Sequence, residues 1–76
     1  MVVAYIMVKA HTGEAEALRQ AIADIDGVES VAIVAGDVDL IAKIDVETPA
    51  DVKTIAAERI QDTDGVEDTR TYVAME

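Results

Sequence analysis

From Leu40 to Val46 apolar and polar residues nearly alternate: Leu40, Ala42, Ile44 and Val46 on one side, Ile41, Lys43 and Asp45 on the other. A period of two sends successive side chains to opposite faces, so this stretch reads as a half-buried strand. VVAYIMVKA at the start is rich in β-branched residues, another strand signal. It places Ala4, Ile6 and Val8 on one face and Tyr5, Met7 and Lys9 on the other. The period then changes. Ala15, Leu18, Ile22 and Ile25 recur at helical spacing. Thr12 is the expected N-cap, Glu14 and Glu16 suit the positive end of the helix dipole, and Gly27 is a natural stop. Val28 to Ala35 reads as a second strand. Thr48-Pro49-Ala50-Asp51 is a helix entry, with a cap, a proline at the first position and an acid at the third. Val52, Ile55, Ala56 and Ile60 form that helix's apolar stripe, Gly65 ends it, and Val66 to Met75 is the last strand.

The two halves echo each other. Asp26-Gly27-Val28-Glu29 recurs as Asp64-Gly65-Val66-Glu67, and the same offset pairs Ile22 with Ile60 and Val2 with Leu40. The element order is βαββαβ. Two right-handed units of this kind side by side predict a ferredoxin-like α+β fold, a four-stranded antiparallel sheet with both helices on one face. Ile6 and Val8 then meet the helices, and Tyr5 and Met7 lie on the open face. Apolar bulk on both faces of so small a sheet predicts that the open face packs on a second copy.

Composition strengthens that expectation. A chain of 76 residues predicts one domain, residues 1–76, whose core is marginal alone, and there is no cysteine to staple it. Apolar content of 51% excludes a disordered chain. The longest apolar run, Val2 to Val8, is too short to span a bilayer and lacks the basic flank of a secretory signal, so no membrane partner is expected. Without cysteines nothing points to an oxidising compartment, and the expected location is the cytoplasm. Sixteen acids against six bases give a net charge of −10. Such a surface repels phosphate backbones, which argues against direct nucleic-acid binding. Few lysines, with Ala and Val in place of larger apolar residues, read as adaptation to high salt, where self-repulsion is screened.

Candidate catalytic chemistry is sparse. His11 is the sole histidine and has no signalled partner; Ser30 is the sole serine and lacks a nucleophile elbow. No phosphate-binding glycine motif is present. Asp37 and Asp39 are not joined by further residues at metal-ligand spacing. No catalytic residue, metal or cofactor is therefore expected. Small ferredoxin-like enzymes that work in a cleft between helices and sheet remain an alternative, with His11 or Tyr5 as the available polar group. The hairpin Gly36-Asp37-Val38-Asp39 admits two readings. It is a plain tight turn, or Asp39 receives a ligand ammonium while backbone groups of the turn hold a carboxylate.

VAGDVDLIAKIDV followed by GVEDTRTYVAME resembles the effector-binding (RAM) domain of the Lrp/AsnC family, in its stand-alone form without the helix-turn-helix domain. The carriers are a Gly-x-x-Asp hairpin, Gly36 to Asp39, and a final strand with Gly65-Val66 and Thr69-Arg70-Thr71. The resemblance covers essentially the whole chain. It implies dimers through the sheet, larger rings such as octamers, and small effectors, usually amino acids, held between dimers. It places Asp39 at the matching acidic position, with Gly36, Asp37 and Val38 around it. Ile33, Tyr72, Val73 and Ala74 fall at positions tied to effector response, and Thr69 and Thr71, matching the family's final Thr-x-Thr, complete the candidate ligand-binding set. Such a domain is compatible with co-assembly with a full-length Lrp/AsnC regulator or with another partner. A structural assembly module without ligand is the other reading, and ACT-type amino-acid-binding domains share the strand order.

Overall fold

The alternation around Leu40 becomes the centre of the sheet. The computed structural model describes residues 1–11, 13 and 15–75. The elements are β1 (Val2–Ala10), α1 (Ala15–Ala23), β2 (Val28–Ile33), β3 (Leu40–Val46), α2 (Pro49–Lys53), a π-helical continuation (Thr54–Ile60) and β4 (Val66–Val73). The four strands lie in the order β2-β3-β1-β4, and all neighbours are antiparallel. The ferredoxin-like expectation is correct. The expected strands over Val28 to Ala35 and Val66 to Met75 both end two residues early.

Register sets the faces. Ala4 lies opposite Ile44, Ile6 opposite Ala42 and Val8 opposite Leu40, and all six are fully buried. Leu18 and Ile22 of α1, Val52 of α2, and Ile55, Ala56 and Ile60 of the π-helical segment complete this core. Both helices therefore cover the same face. Burying an Ile or Leu side chain contributes about 1.5–3 kcal/mol, so these residues dominate the driving force. No polar or charged residue is buried among the described residues.

The second helix starts as expected: the Thr48 hydroxyl accepts a hydrogen bond from the Asp51 N–H at 3.2 Å, with Pro49 in the first turn. Its later widening to π winding is unheralded by the stripe Val52, Ile55, Ala56, Ile60, which fits ordinary α spacing. The expected Thr12 cap and Glu14 lie outside the described residues.

The echo between the halves has a structural counterpart. Gly27 and Gly65 both follow a helix with positive φ, 95° and 100°. The Gly27 carbonyl accepts from the Asp45 N–H at 3.2 Å, and the Gly65 carbonyl accepts from the His11 N–H at 2.9 Å. Each helix-ending glycine thus ties its loop to a central strand. At Gly27 a Cβ would lie 2.5 Å from Ile55 Cδ1, so Ile55 would have to shift, and the φ of 95° itself favours glycine.

The other sheet face has no helix over it. Tyr5 lies opposite both Tyr72 and Lys43, and Met7 opposite Arg70 and Ile41. Tyr72 is 55% exposed. Lys43 pairs with Glu29 across β2 and β3 at 3.2 Å. No helix is long and apolar enough to cross a membrane.

Candidate functional site

The β2–β3 hairpin is where the polar interruption of an apolar run has to be explained. The Val34 N–H donates to the Asp39 carbonyl at 2.9 Å, closing the loop, and the Asp39 N–H donates to the Val8 carbonyl at 3.0 Å. The Asp39 carboxylate is also engaged: its Oδ2 accepts from the Ala10 N–H at 2.9 Å. The last β1–β3 pair is Val8–Leu40, so the Ala10 N–H, which points to the same side as the Val8 carbonyl, lies beyond the end of that ladder. Asp39 supplies the missing acceptor. This half-buried aspartate clamps the hairpin onto the end of β1.

The clamp holds Asp37 and Val38 at the rim of a hollow of about 390 Å³ on the open face. Met7 and Lys9 of β1 and Asp68, Thr69, Arg70 and Tyr72 of β4 complete it. Lys9 and Asp68 face each other across the ladder, as do Met7 and Arg70. Two cations and two acids therefore surround a floor of Met7, Val38 and Tyr72. The ion pairs among the described residues are His11–Glu67, Glu16–Arg19 and Glu29–Lys43, and none uses Lys9, Asp37, Asp68 or Arg70. None of the four heads is in an ion pair among the described residues, and Asp68 Oδ1 accepts from the Thr69 N–H at 2.9 Å.

Of the residues singled out in the sequence, Asp37, Val38, Thr69 and Tyr72 come together at this hollow. Asp39 lines a separate one of about 420 Å³, with Ala10, His11 and Glu67. Gly36 lines neither; it is exposed in the hairpin. Thr71 and Val73 sit on the helix side of β4, where with Thr69 they border a groove against Val52 and Ala56. Ala74 lies at the far end of the open face, near Val3, Tyr5 and Lys43. Ile33 is 46% exposed near the end of the β2 edge strand. Lys9, Met7, Asp68 and Arg70 were not singled out. Alternation places Lys9 and Arg70 on the open face, but only the register Lys9–Asp68 brings all four charges together.

His11 Nδ1 lies 3.9 Å from Glu67 Oε1, both well exposed. No group of three or more His, Asp or Glu side chains is placed to hold a metal among the described residues.

A ferredoxin-like α+β module with an open sheet face is the class this geometry defines. The Lrp/AsnC ligand binding domain matches residues 3–76, and the chain belongs to that family. The family is one of regulatory, ligand-binding domains rather than of enzymes. A protein from Thermus thermophilus is similar over 100% of this chain and 95% of its own, with 28% identity and a TM-score of 0.94. E. coli AsnC is similar over 99% of this chain and 51% of its own, at 14% identity and a TM-score of 0.90. A transcriptional regulator from Neisseria meningitidis, solved as a complex with L-Met, is similar over 99% of this chain and 50% of its own. Its identity is 14% and its TM-score 0.86. The chain spans about half the length of these two regulators, and at such identity they show the fold alone. No protein of curated function matches the chain.

Proposed function

We propose that the chain is a regulatory module that binds a free amino acid in the hollow bounded by Lys9, Asp37, Asp68 and Arg70. The observation that carries this reading is the set of four unpaired charged heads of both signs around one small apolar floor. An α-amino acid carries a carboxylate and an ammonium on one carbon. Lys9 and Arg70 hold the carboxylate, and Asp37 and Asp68 the ammonium. Met7, Val38 and Tyr72 receive the side chain. Asp39 acts through its bond to Ala10 and sets where Asp37 and Val38 stand, rather than touching the ligand. Copies assemble through the rest of the open face, where Tyr5 and Ile41 need cover, and the assembly modulates transcription through full-length family regulators.

A thermal-shift screen of the twenty amino acids tests the reading. Ligand at a hundred times its dissociation constant stabilises the fold by about 2.7 kcal/mol, a visible shift for a chain this size. Methionine is the first candidate, given the Neisseria complex. One class of amino acid should raise the melting temperature, and Arg70→Ala should abolish the rise.

One observation favours a second reading, an assembly module without ligand. Asp39 Oδ2 accepts from the Ala10 N–H, which gives this aspartate a structural task that needs no ligand. A flat screen with a folded protein selects it.

A further inference from the structure

A row of side chains crosses the open face at the level of Tyr5. Glu29 of β2 reaches Lys43 of β3 at 3.2 Å, Lys43 lies opposite Tyr5 of β1, and Tyr5 lies opposite Tyr72 of β4. Directly opposed residues on one sheet face are close enough for rings and long side chains to pack. Lys43 is raised above 10.5 first by its hydrogen bond to Glu29, then by that charge, and next by the Tyr5 phenol, so Lys43 and Tyr5 stand side by side. The row divides the face. On one side is the hollow of about 390 Å³, which Tyr72 lines and Tyr5 does not. On the other is a hollow of about 300 Å³, which Tyr5 lines with Val3, Lys43 and Ala74 and Tyr72 does not. The two rings are the partition between them. Tyr72 is 55% exposed on an edge strand whose one neighbour is β1. No strand lies beyond it to steady its ring, so that task falls to Tyr5.

Resting on the reading of the larger hollow as an amino-acid site, we infer that Tyr5 is a positioning residue that sets which amino-acid side chains this hollow favours. Its ring holds Tyr72 in place as the wall against which the ligand side chain packs, and it does so without touching the ligand. Lys43, fixed by Glu29, backs Tyr5 from the other side. Lys9, Asp37, Asp68 and Arg70 engage the ammonium and carboxylate that every amino acid carries. The aromatic pair acts only on what differs between amino acids. Without Tyr5 the Tyr72 ring turns into the space left behind, and the hollow runs on into its neighbour. A long apolar side chain then loses its wall. A methyl side chain, which does not reach the wall, loses nothing.

The chain has no tryptophan or phenylalanine and no tyrosine besides Tyr5 and Tyr72, so near-ultraviolet circular dichroism reports on this pair alone. A ring held in one setting gives a signal there, and a freely turning ring does not. In Tyr5→Phe, Tyr72 is the sole tyrosine and should keep its signal. In Tyr5→Ala it should lose it, with the far-ultraviolet spectrum retained. Calorimetric titration with L-methionine and L-alanine reads the consequence. The ratio of methionine to alanine affinity should fall about fivefold in Tyr5→Ala and keep its wild-type value in Tyr5→Phe, with alanine affinity unchanged. Lost assembly would weaken both ligands alike. Equal weakening of the two therefore overturns the proposal, as does a Tyr72 signal or an affinity ratio that Tyr5→Ala leaves unchanged. If Tyr5→Ala does not fold, Tyr5→Thr, a strand former without a ring, carries the same expectations. Failure of the amino-acid reading looks different: the wild type binds neither ligand, and the inference that rests on that reading falls with it.

Discussion

The carboxylate of Asp39 accepts the N–H of Ala10 at 2.9 Å, joining residues 29 apart in the chain. It supplies an acceptor just beyond Val8–Leu40, the last pair of the β1–β3 ladder. The bond is partly buried and has a charged acceptor, which places it among the stronger hydrogen bonds of the fold. Asp39→Ala should lower the unfolding free energy by about 1–2 kcal/mol. Asp39→Asn keeps an acceptor oxygen and should lose roughly half of that. Urea titrations of the three proteins measure the difference; equal stabilities would mean that the clamp contributes nothing.

Gly27 makes a second prediction. Its φ is 95°, and a Cβ would meet Ile55 Cδ1 at 2.5 Å in the core. Gly27→Ala combines a left-handed conformation with overpacking and should cost about 2–4 kcal/mol. Gly13 has φ 81° but nothing within 4 Å, so Gly13→Ala isolates the conformational part, about 1–2 kcal/mol. A Gly27→Ala protein no less stable than Gly13→Ala would show that Ile55 moves aside freely.

Alternation and helical spacing carried enough information to read the fold. The stripes Ala4, Ile6, Val8 and Leu40, Ala42, Ile44 are the two central strands of the core, and the helix stripes supply its roof. The hollow was legible only in part. Asp37 and Val38 stand out because charge and glycine interrupt an apolar run. Lys9, Asp68 and Arg70 look like ordinary solvated strand residues until register sets Lys9 against Asp68. Asp39 announced itself as unusual, but its use did not, because its partner is a backbone N–H with no side-chain signature.

The pH dependence follows from two surface pairs. The hydrogen bond from Arg19, and then its charge, hold the Glu16 carboxyl below its usual value of 4.5. Its pKa is depressed in the folded state. The stabilisation is thus present above the unfolded value and lost as pH falls through the folded one. Lys43 is raised above 10.5, first by its hydrogen bond to Glu29 and then by that charge. Its contribution is complete below 10.5 and lost as pH rises through the folded value. Both groups are exposed, so the effects are small. Glu16→Gln should flatten the acid limb of the stability curve and Glu29→Gln the alkaline limb, each leaving the other limb unchanged.

The charge of −10 predicts how the fold responds to salt. Screening shortens from about 30 Å at 0.01 M to about 3 Å at 1 M ionic strength, which relieves self-repulsion. The melting temperature should rise steadily with potassium chloride over that range. Neutralising exposed acids on and just after the second helix, Glu58→Gln with Asp62→Asn, should raise the low-salt value and shrink the slope. A melting temperature independent of salt would contradict adaptation to high salt.

The central claim is that Lys9, Asp37, Asp68 and Arg70 together hold an amino acid. The most direct measurement is calorimetric titration of the amino acid picked out by thermal shift into the wild type, Asp37→Asn and Arg70→Ala. The account predicts saturable binding to the wild type. Each variant should weaken it at least about tenfold, roughly 1.4 kcal/mol, at unchanged unfolding free energy. Binding of equal strength in all three proteins, or no binding to the wild type by any of the twenty, would contradict it.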